Sequence, residues 1–310
     1  MLPAPFHREM VFGRALRRLN LDLQTLAKVT LNDDGSVQGH QHLNEAFWEI
    51  SGGTLSFASH QGITTRFDQH MRVGPCNILM GRCLVAGYDH FLYPYVPMAG
   101  TVRIQYLVSS HADYGQALES ILPQLIAAGV PTDSIWVTVA GSSKTEMCDR
   151  GGIRFSHVPE NAFEYTALID AATREFGCDY FFLLHDTCHI GPKFRALVES
   201  QPATLPIDYV SVLTSGWFNI GLYSAKFLRE SRELLKSFAG VSKKAAIEWE
   251  MNLRGKGFKR HAPLTSNFLT GTGRLTGIHR PYGDLQRRGI YLSGADLHKF
   301  YGIDHSIFRP

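Results

Sequence analysis

The chain has 310 residues, 44% of them hydrophobic and 19% charged, which allows a large buried core in one domain, or in one domain plus a small one, and excludes disorder as the default. The formal charge is only +3 and the Lys and Arg residues are scattered, so composition makes no case for a nucleic-acid partner. Cys76, Cys83, Cys148, Cys178 and Cys188 are odd in number and form no CxxC pair, which speaks against an oxidised scaffold and for a reducing cytoplasm.

In chain order, the first segment is too interrupted by Arg14, Arg17, Arg18, Asn20 and Asp22 to be an apolar signal core or a membrane span. The spacing of Phe12, Leu16, Leu19, Leu23 and Leu26 predicts an amphipathic helix within residues 1–32. Such a helix docks on its own protein, the commoner case, or lies on an anionic membrane, which would give a cytoplasmic protein peripheral contact with the inner face of the membrane.

Residues 33–98 read as a small antiparallel β module. Turn signals at 32–35 and 51–53 flank a hairpin of Ala46 to Ile50 with Thr54 to Ala58, and short strands follow at 63–67 and 78–85. Trp48 reads as a core aromatic of this module, with a sugar-stacking platform as the other use of such a ring. The prolines of residues 92–100 mark a seam.

From residue 99 to 310 the pattern changes to α/β. Strands are predicted at Val102 to Val108, Ile135 to Ala140, Ile153 to Val158 and Tyr180 to Leu184, with helices at Tyr114 to Ala128 and Phe163 to Phe176. Near-continuous apolar strands alternating with helices predict a mainly parallel sheet flanked by helices. Ligands of such sheets bind beyond the carboxyl ends of the strands. The residues there are polar: Ser109, Ser110 and His111; Ser142; Asn161; His185 and Asp186. Neither a GxGxxG turn nor a GxxxxGK[ST] loop is present. Asp186 follows an apolar strand directly, where a carboxylate can hold a divalent ion against a diphosphate.

On these residues the segment 101–301 resembles the GT-A-fold glycosyltransferases of the bacterial surface-polysaccharide type. Asp186-Thr187-Cys188 stands in the place of the family's DxD motif, Ile104 to His111 and Ile135 to Gly141 are similar to its nucleotide-cradling strands, Asn161 to Leu168 to its donor helix, and Trp217 to Ser224 to its acceptor-side strand. The segments 43–48 and 62–67 resemble a β-rich accessory piece of polysaccharide-associated proteins.

The resemblance implies a nucleotide-sugar donor, a UDP sugar first among them, a glycan or glycolipid acceptor, and Mn2+ or Mg2+ at Asp186. Cys188 replaces the second acid and suits neither ion; His185, His189 or a C-terminal histidine, His279 foremost, would complete the metal site. Arg280, Arg287 and Arg288 either clamp donor phosphates or are ordinary surface residues. Ser242 caps a predicted helix bearing Glu248 and Glu250, two apart, so that one of them can face a cleft. Glu250, anchored beside Ile247 and Met251, is the choice for the base of an inverting reaction; two solvated glutamates are the equal alternative. Donor-binding residues are then Ser109, Ser110, His111, Ser142, Asn161, His185, Asp186 and Arg280. A sugar-nucleotide nucleotidyltransferase and a non-catalytic glycosyltransferase-like scaffold are the competing functions.

Overall fold

The structure is a computed structural model, and it describes residues 9–17, 22–73, 76–95, 101–162, 165–204, 209–211, 220–237, 265–266, 271–279 and 285–301. The chain divides into two units: the first runs to Gly100 and includes Gln201–Ile207 and Pro263–Phe268, and the second comprises the rest.

The first unit is built from β1 (Glu9–Arg17), β2 (Asp22–Leu31), β3 (Val37–Gln38), β4 (Phe47–Ser51), β5 (Thr54–Ser59), β6 (Gly62–Val73), β7 (Cys76–Cys83) and β8 (Asp89–Pro94), each antiparallel to its sheet neighbours. β8 returns to pair with β1, β3 pairs with β2, and a bridge from Ser36 to Phe47 joins that end to β4. The strands thus form a nearly closed barrel. The ring contacts Phe12–Phe57 (5.3 Å) and Phe57–Phe67 (5.2 Å) run through the interior, where Met10, Val29, Leu31, Leu55, Leu79 and Leu92 complete an apolar core. A short strand, Thr265–Ser266 (β17 in chain order), pairs parallel with the start of β2.

The second unit holds two sheets. The larger runs β11-β12-β10-β9-β13-β16-β15, formed by β9 (Ile104–His111), β10 (Ile135–Ala140), β11 (Glu146–Arg150), β12 (Ile153–His157), β13 (Tyr180–His185), β15 (Tyr209–Ser211) and β16 (Gly221–Ser224). β12, β10, β9 and β13 are mutually parallel; β11, β16 and β15 pair antiparallel. The smaller sheet runs β14-β20-β19-β18, from β14 (Cys188–Ile190), β18 (Gly271–His279), β19 (Leu285–Leu292) and β20 (Leu297–Tyr301), all antiparallel. Among the described residues five helices accompany them: α1 (Gly115–Ala127), α2 (Thr166–Ala172), α3 (Phe194–Thr204), α4 (Ala225–Glu230) and α5 (Arg232–Lys236).

Right-handed crossovers decide where the helices go. The chain steps from β9 through α1 to β10 in one direction across the sheet, and from β12 through α2 to β13 in the other, so α1 and α2 cover opposite faces. Successive strand residues face opposite sides: Leu107, Trp136, Phe181 and Leu183 pack with α2, α4 and α5, while Tyr106 and Phe182 meet Phe194 of α3.

This architecture corrects the expected fold class. Antiparallel pairing dominates the described residues, and the N-terminal β region is a near-closed barrel rather than a small module attached to a mainly parallel sheet. The helix expected from Phe12 to Leu26 falls instead on β1 and β2. The physical reason is burial on both sides of β1: Met10, Val11 and Phe12 are all buried, which erases the alternation that marks a half-exposed strand and leaves spacings that mimic a helix. β8 likewise reaches into the stretch expected to be a seam, with Phe91, Leu92 and Tyr93 all buried. Among the described residues no helix is long and apolar enough to cross a membrane.

Candidate functional site

The parallel strands lie in the order β12-β10-β9-β13, so the direction of winding reverses between β9 and β13. The crevice outside the carboxyl ends at such a reversal is where open α/β sheets bind ligands, because the loops leave it on opposite faces. The register places His185 opposite Ser109, and the Asp186 amide donates to the Ser109 carbonyl at 3.1 Å, extending the ladder by one step. Asp186 therefore arrives beside Ser110, whose hydroxyl donates to its Oδ2 at 2.7 Å. Asp186 is 6% exposed and Ser109, Ser110 and His185 are buried with it, forming a polar layer at the strand ends where an apolar one would be expected.

Beneath this layer stands Lys299 of β20. β14 follows Asp186 by one residue and pairs with β20, Cys188 opposite Lys299. The Lys299 Nζ donates to Thr187 Oγ1 at 2.7 Å and meets His185 Nδ1. The Lys299 amine is thereby brought to the exit of β13 from the far end of the chain. No motif announces Lys299 in the sequence; only the pairing of two short strands reveals it.

Toward β10 the edge tightens. Gly141 has φ +71°, and a Cβ there would lie 2.4 Å from the His111 Nε2, so the turn after β10 accepts glycine alone while the imidazole lies close against it. His111 also caps the 3-10 turn Ala112–Tyr114, its Nδ1 accepting the Asp113 amide at 3.2 Å. The Ser142 hydroxyl donates to the Val139 carbonyl at 3.1 Å and lies 3.3 Å from His157 Nδ1.

The structure thus brings Ser109, Ser110, His185 and Asp186 together, with His111 and Ser142 further along the same edge. Asn161 is half-buried in the loop after β12. Ser109, Ser110 and His185 lie inside their strands, which run longer than expected. Glu250, Glu248 and Arg280 lie outside the described residues, as do the expected helix from Ser242 and residues 217–219. His279 ends β18, separated from β14 by β19 and β20, and its side chain is not among those described. Trp48 is half-buried against the barrel core, and its indole donates to the Asn32 carbonyl at 2.8 Å, which is the arrangement of a core aromatic.

Mn2+ or Mg2+ wants several hard oxygen ligands. Among the described residues at this exit Asp186 is the carboxylate on offer, with the His185 imidazole next to it in the chain; Cys188, two residues on, is buried and carries sulfur. The described oxygen donors at this exit are by themselves too few for a hard divalent ion.

Comparison with models of known protein families gives no match, and comparison with curated proteins gives none either.

Proposed function

We propose that the second unit is a glycosyltransferase that binds a nucleoside-diphosphate sugar across the carboxyl ends of β9 and β13 and passes the sugar to a glycan or glycolipid acceptor. The observation that supports this most is the meeting of Ser110 and Asp186 at the point where the winding of the parallel strands reverses. A carboxylate held there without a hard metal accepts hydrogen bonds from ribose or sugar hydroxyls. The diphosphate needs a positive charge instead, and Lys299 supplies it from below in a poorly solvated setting where charge acts strongly. In this reading the donor lies across Ser109, Ser110 and the turn at Gly141.

A panel of nucleoside diphosphates and their sugars, read by melting temperature with and without added Mn2+, tests the reading. One diphosphate sugar is expected to stabilise the chain whether or not Mn2+ is present, and Asp186→Asn is expected to abolish that stabilisation. If no nucleotide sugar moves the melting temperature, or if Asp186→Asn responds as the parent does, the site is wrongly placed. Mass spectrometry of the products then identifies the donor, since slow hydrolysis releases free sugar and nucleoside diphosphate.

A further inference from the structure

The barrel unit carries a second polar cluster, in its interior and at one end. After β3, Gly39 turns the chain with φ +94°; a Cβ there would lie 2.2 Å from the Lys28 carbonyl oxygen, so glycine is required where the segment passes β2. Next in the chain comes His40-Gln41-His42, extended at His42 (φ −132°, ψ 132°). In extended chain, residues two apart face the same way, and the two imidazoles stack with centroids 5.7 Å apart. His42 then caps a 3-10 turn, Leu43–Glu45, which carries Glu45 inward until it is 2% exposed. β8 contributes His90 and the end of β7 contributes Cys83, both buried. The Phe12 ring backs His40 at 5.0 Å and His90 at 4.7 Å.

Glu45 is the common member. The ligand atoms of His40, His42 and Glu45 lie within 4.8 Å of one another, and so do those of Glu45, Cys83 and His90. Glu45 Oε2 is 2.6 Å from His42 Nδ1 and 3.6 Å from His40 Nε2. Ligands around a tetrahedral zinc stand about 3.3 Å apart, given metal–ligand bonds of about 2.0 Å, a spacing close to that of Glu45 from His40 and His42; Glu45 is the group that links the two triads. Thr65, fully buried, lies 2.8 Å from His90 Nδ1. That contact fixes the ring and leaves Nε2 to ligate, the usual support for a metal-bound histidine.

Burial pushes the His90 imidazole down to about 4, and against its own burial the Glu45 carboxyl is held below the usual carboxylate range by the His40 hydrogen bond. Arg14, whose charge reaches His90, packs its guanidinium over the Tyr88 ring at 5.3 Å. The His42 side chain is 52% exposed, which opens a route from solvent to an otherwise enclosed cluster.

We propose that the barrel holds one divalent transition-metal ion of the zinc class, ligated by Glu45 with the imidazoles of His40, His42 and His90, and with the Cys83 thiol as a neighbouring donor. Imidazole and thiol donors select this class over Mg2+ or Ca2+.

The test uses the full chain without a polyhistidine tag, stripped with chelator and titrated with Zn2+, Co2+ or Mg2+. Bound metal is counted after desalting, and unfolding temperature is followed. Zn2+ should be retained at about one ion per chain and raise the unfolding temperature, as metal bound only by the folded state must. Co2+ should show the visible bands of a low-coordinate site, and Mg2+ should do nothing. His42→Ala, at an exposed position, and His40→Ala should each weaken Zn2+ at least ~100-fold with the circular dichroism unaltered, and Thr65→Val should weaken it about 10-fold, the lower end of what such supporting contacts contribute. Equal Zn2+ retention by the parent and the His40→Ala/His42→Ala double variant, no retention by the parent, or equal stabilisation by Mg2+ would each overturn the assignment.

Discussion

Asp170 of α2 in the second unit and Glu45 in the barrel are both acids with almost no exposure, and they are satisfied in opposite ways. Asp170 Oδ2 accepts the Trp136 indole at 2.9 Å and the Thr138 hydroxyl at 3.1 Å, while Oδ1 takes Arg174 Nε at 2.9 Å. Two neutral donors and a guanidinium clamp α2 onto β10. Around Glu45 stand imidazoles, groups that exchange a proton for a metal without leaving their places. The same burial of negative charge therefore serves as a clamp in one unit and, in the proposed reading, as a receptor in the other. Asp186, held by Ser110 at the carboxyl end of β13, is the acid on which the proposed donor site rests.

Substitutions can break this contrast or sharpen it. The largest effect is expected for Phe12→Ala, which empties the barrel interior and removes the ring behind His40 and His90: about 3–5 kcal/mol in chemical denaturation, with weakened zinc retention. Asp170→Ala should cost about 3 kcal/mol, because it leaves Arg174 and the Trp136 indole without their acceptor; zinc retention should not change, and a change would mean that the two acids are not separate systems. Gly39→Ala, strained and sterically blocked, should cost about 1–3 kcal/mol and lower zinc retention in parallel, since it displaces the segment that carries both mouth histidines. Ser110→Ala is expected to be the mildest, about 1–2 kcal/mol for a buried acceptor losing its donor. Its signature should be a smaller nucleotide-sugar shift with zinc binding intact.

How much of the molecule is legible in the sequence depends on the range of the forces involved. The alternating strands and helices of the second unit can be read because each buries its apolar residues against near neighbours; the apolar run Ile135–Ala140 coincides with β10, and the expected hairpin matches β4 and β5 within a residue or so. The closure of the barrel cannot, because the return of β8 to β1 joins segments some eighty residues apart, and strands covered on both sides lose their alternation. Asp186 and Ser110 are legible because they follow apolar strands. Lys299 is not, since nothing local marks it. The metal cluster lies between these cases: His40-x-His42-x-x-Glu45 is visible as a spacing, but His90 and Cys83 join it only through the fold.

The bridge from Ser36 to Phe47 has a consequence for how the barrel survives in a crowded solution. By joining β3 to β4 it occupies backbone groups that an open sheet would offer to another chain, the template from which intermolecular strand stacking begins. The join is slender, resting on the Val37 amide to the Ala46 carbonyl at 2.9 Å and the Trp48 amide to the Gly35 carbonyl at 2.7 Å. Those two amides are where the ring should unzip first, and their deuterium uptake would report the opening of the barrel before any other part of it lets go.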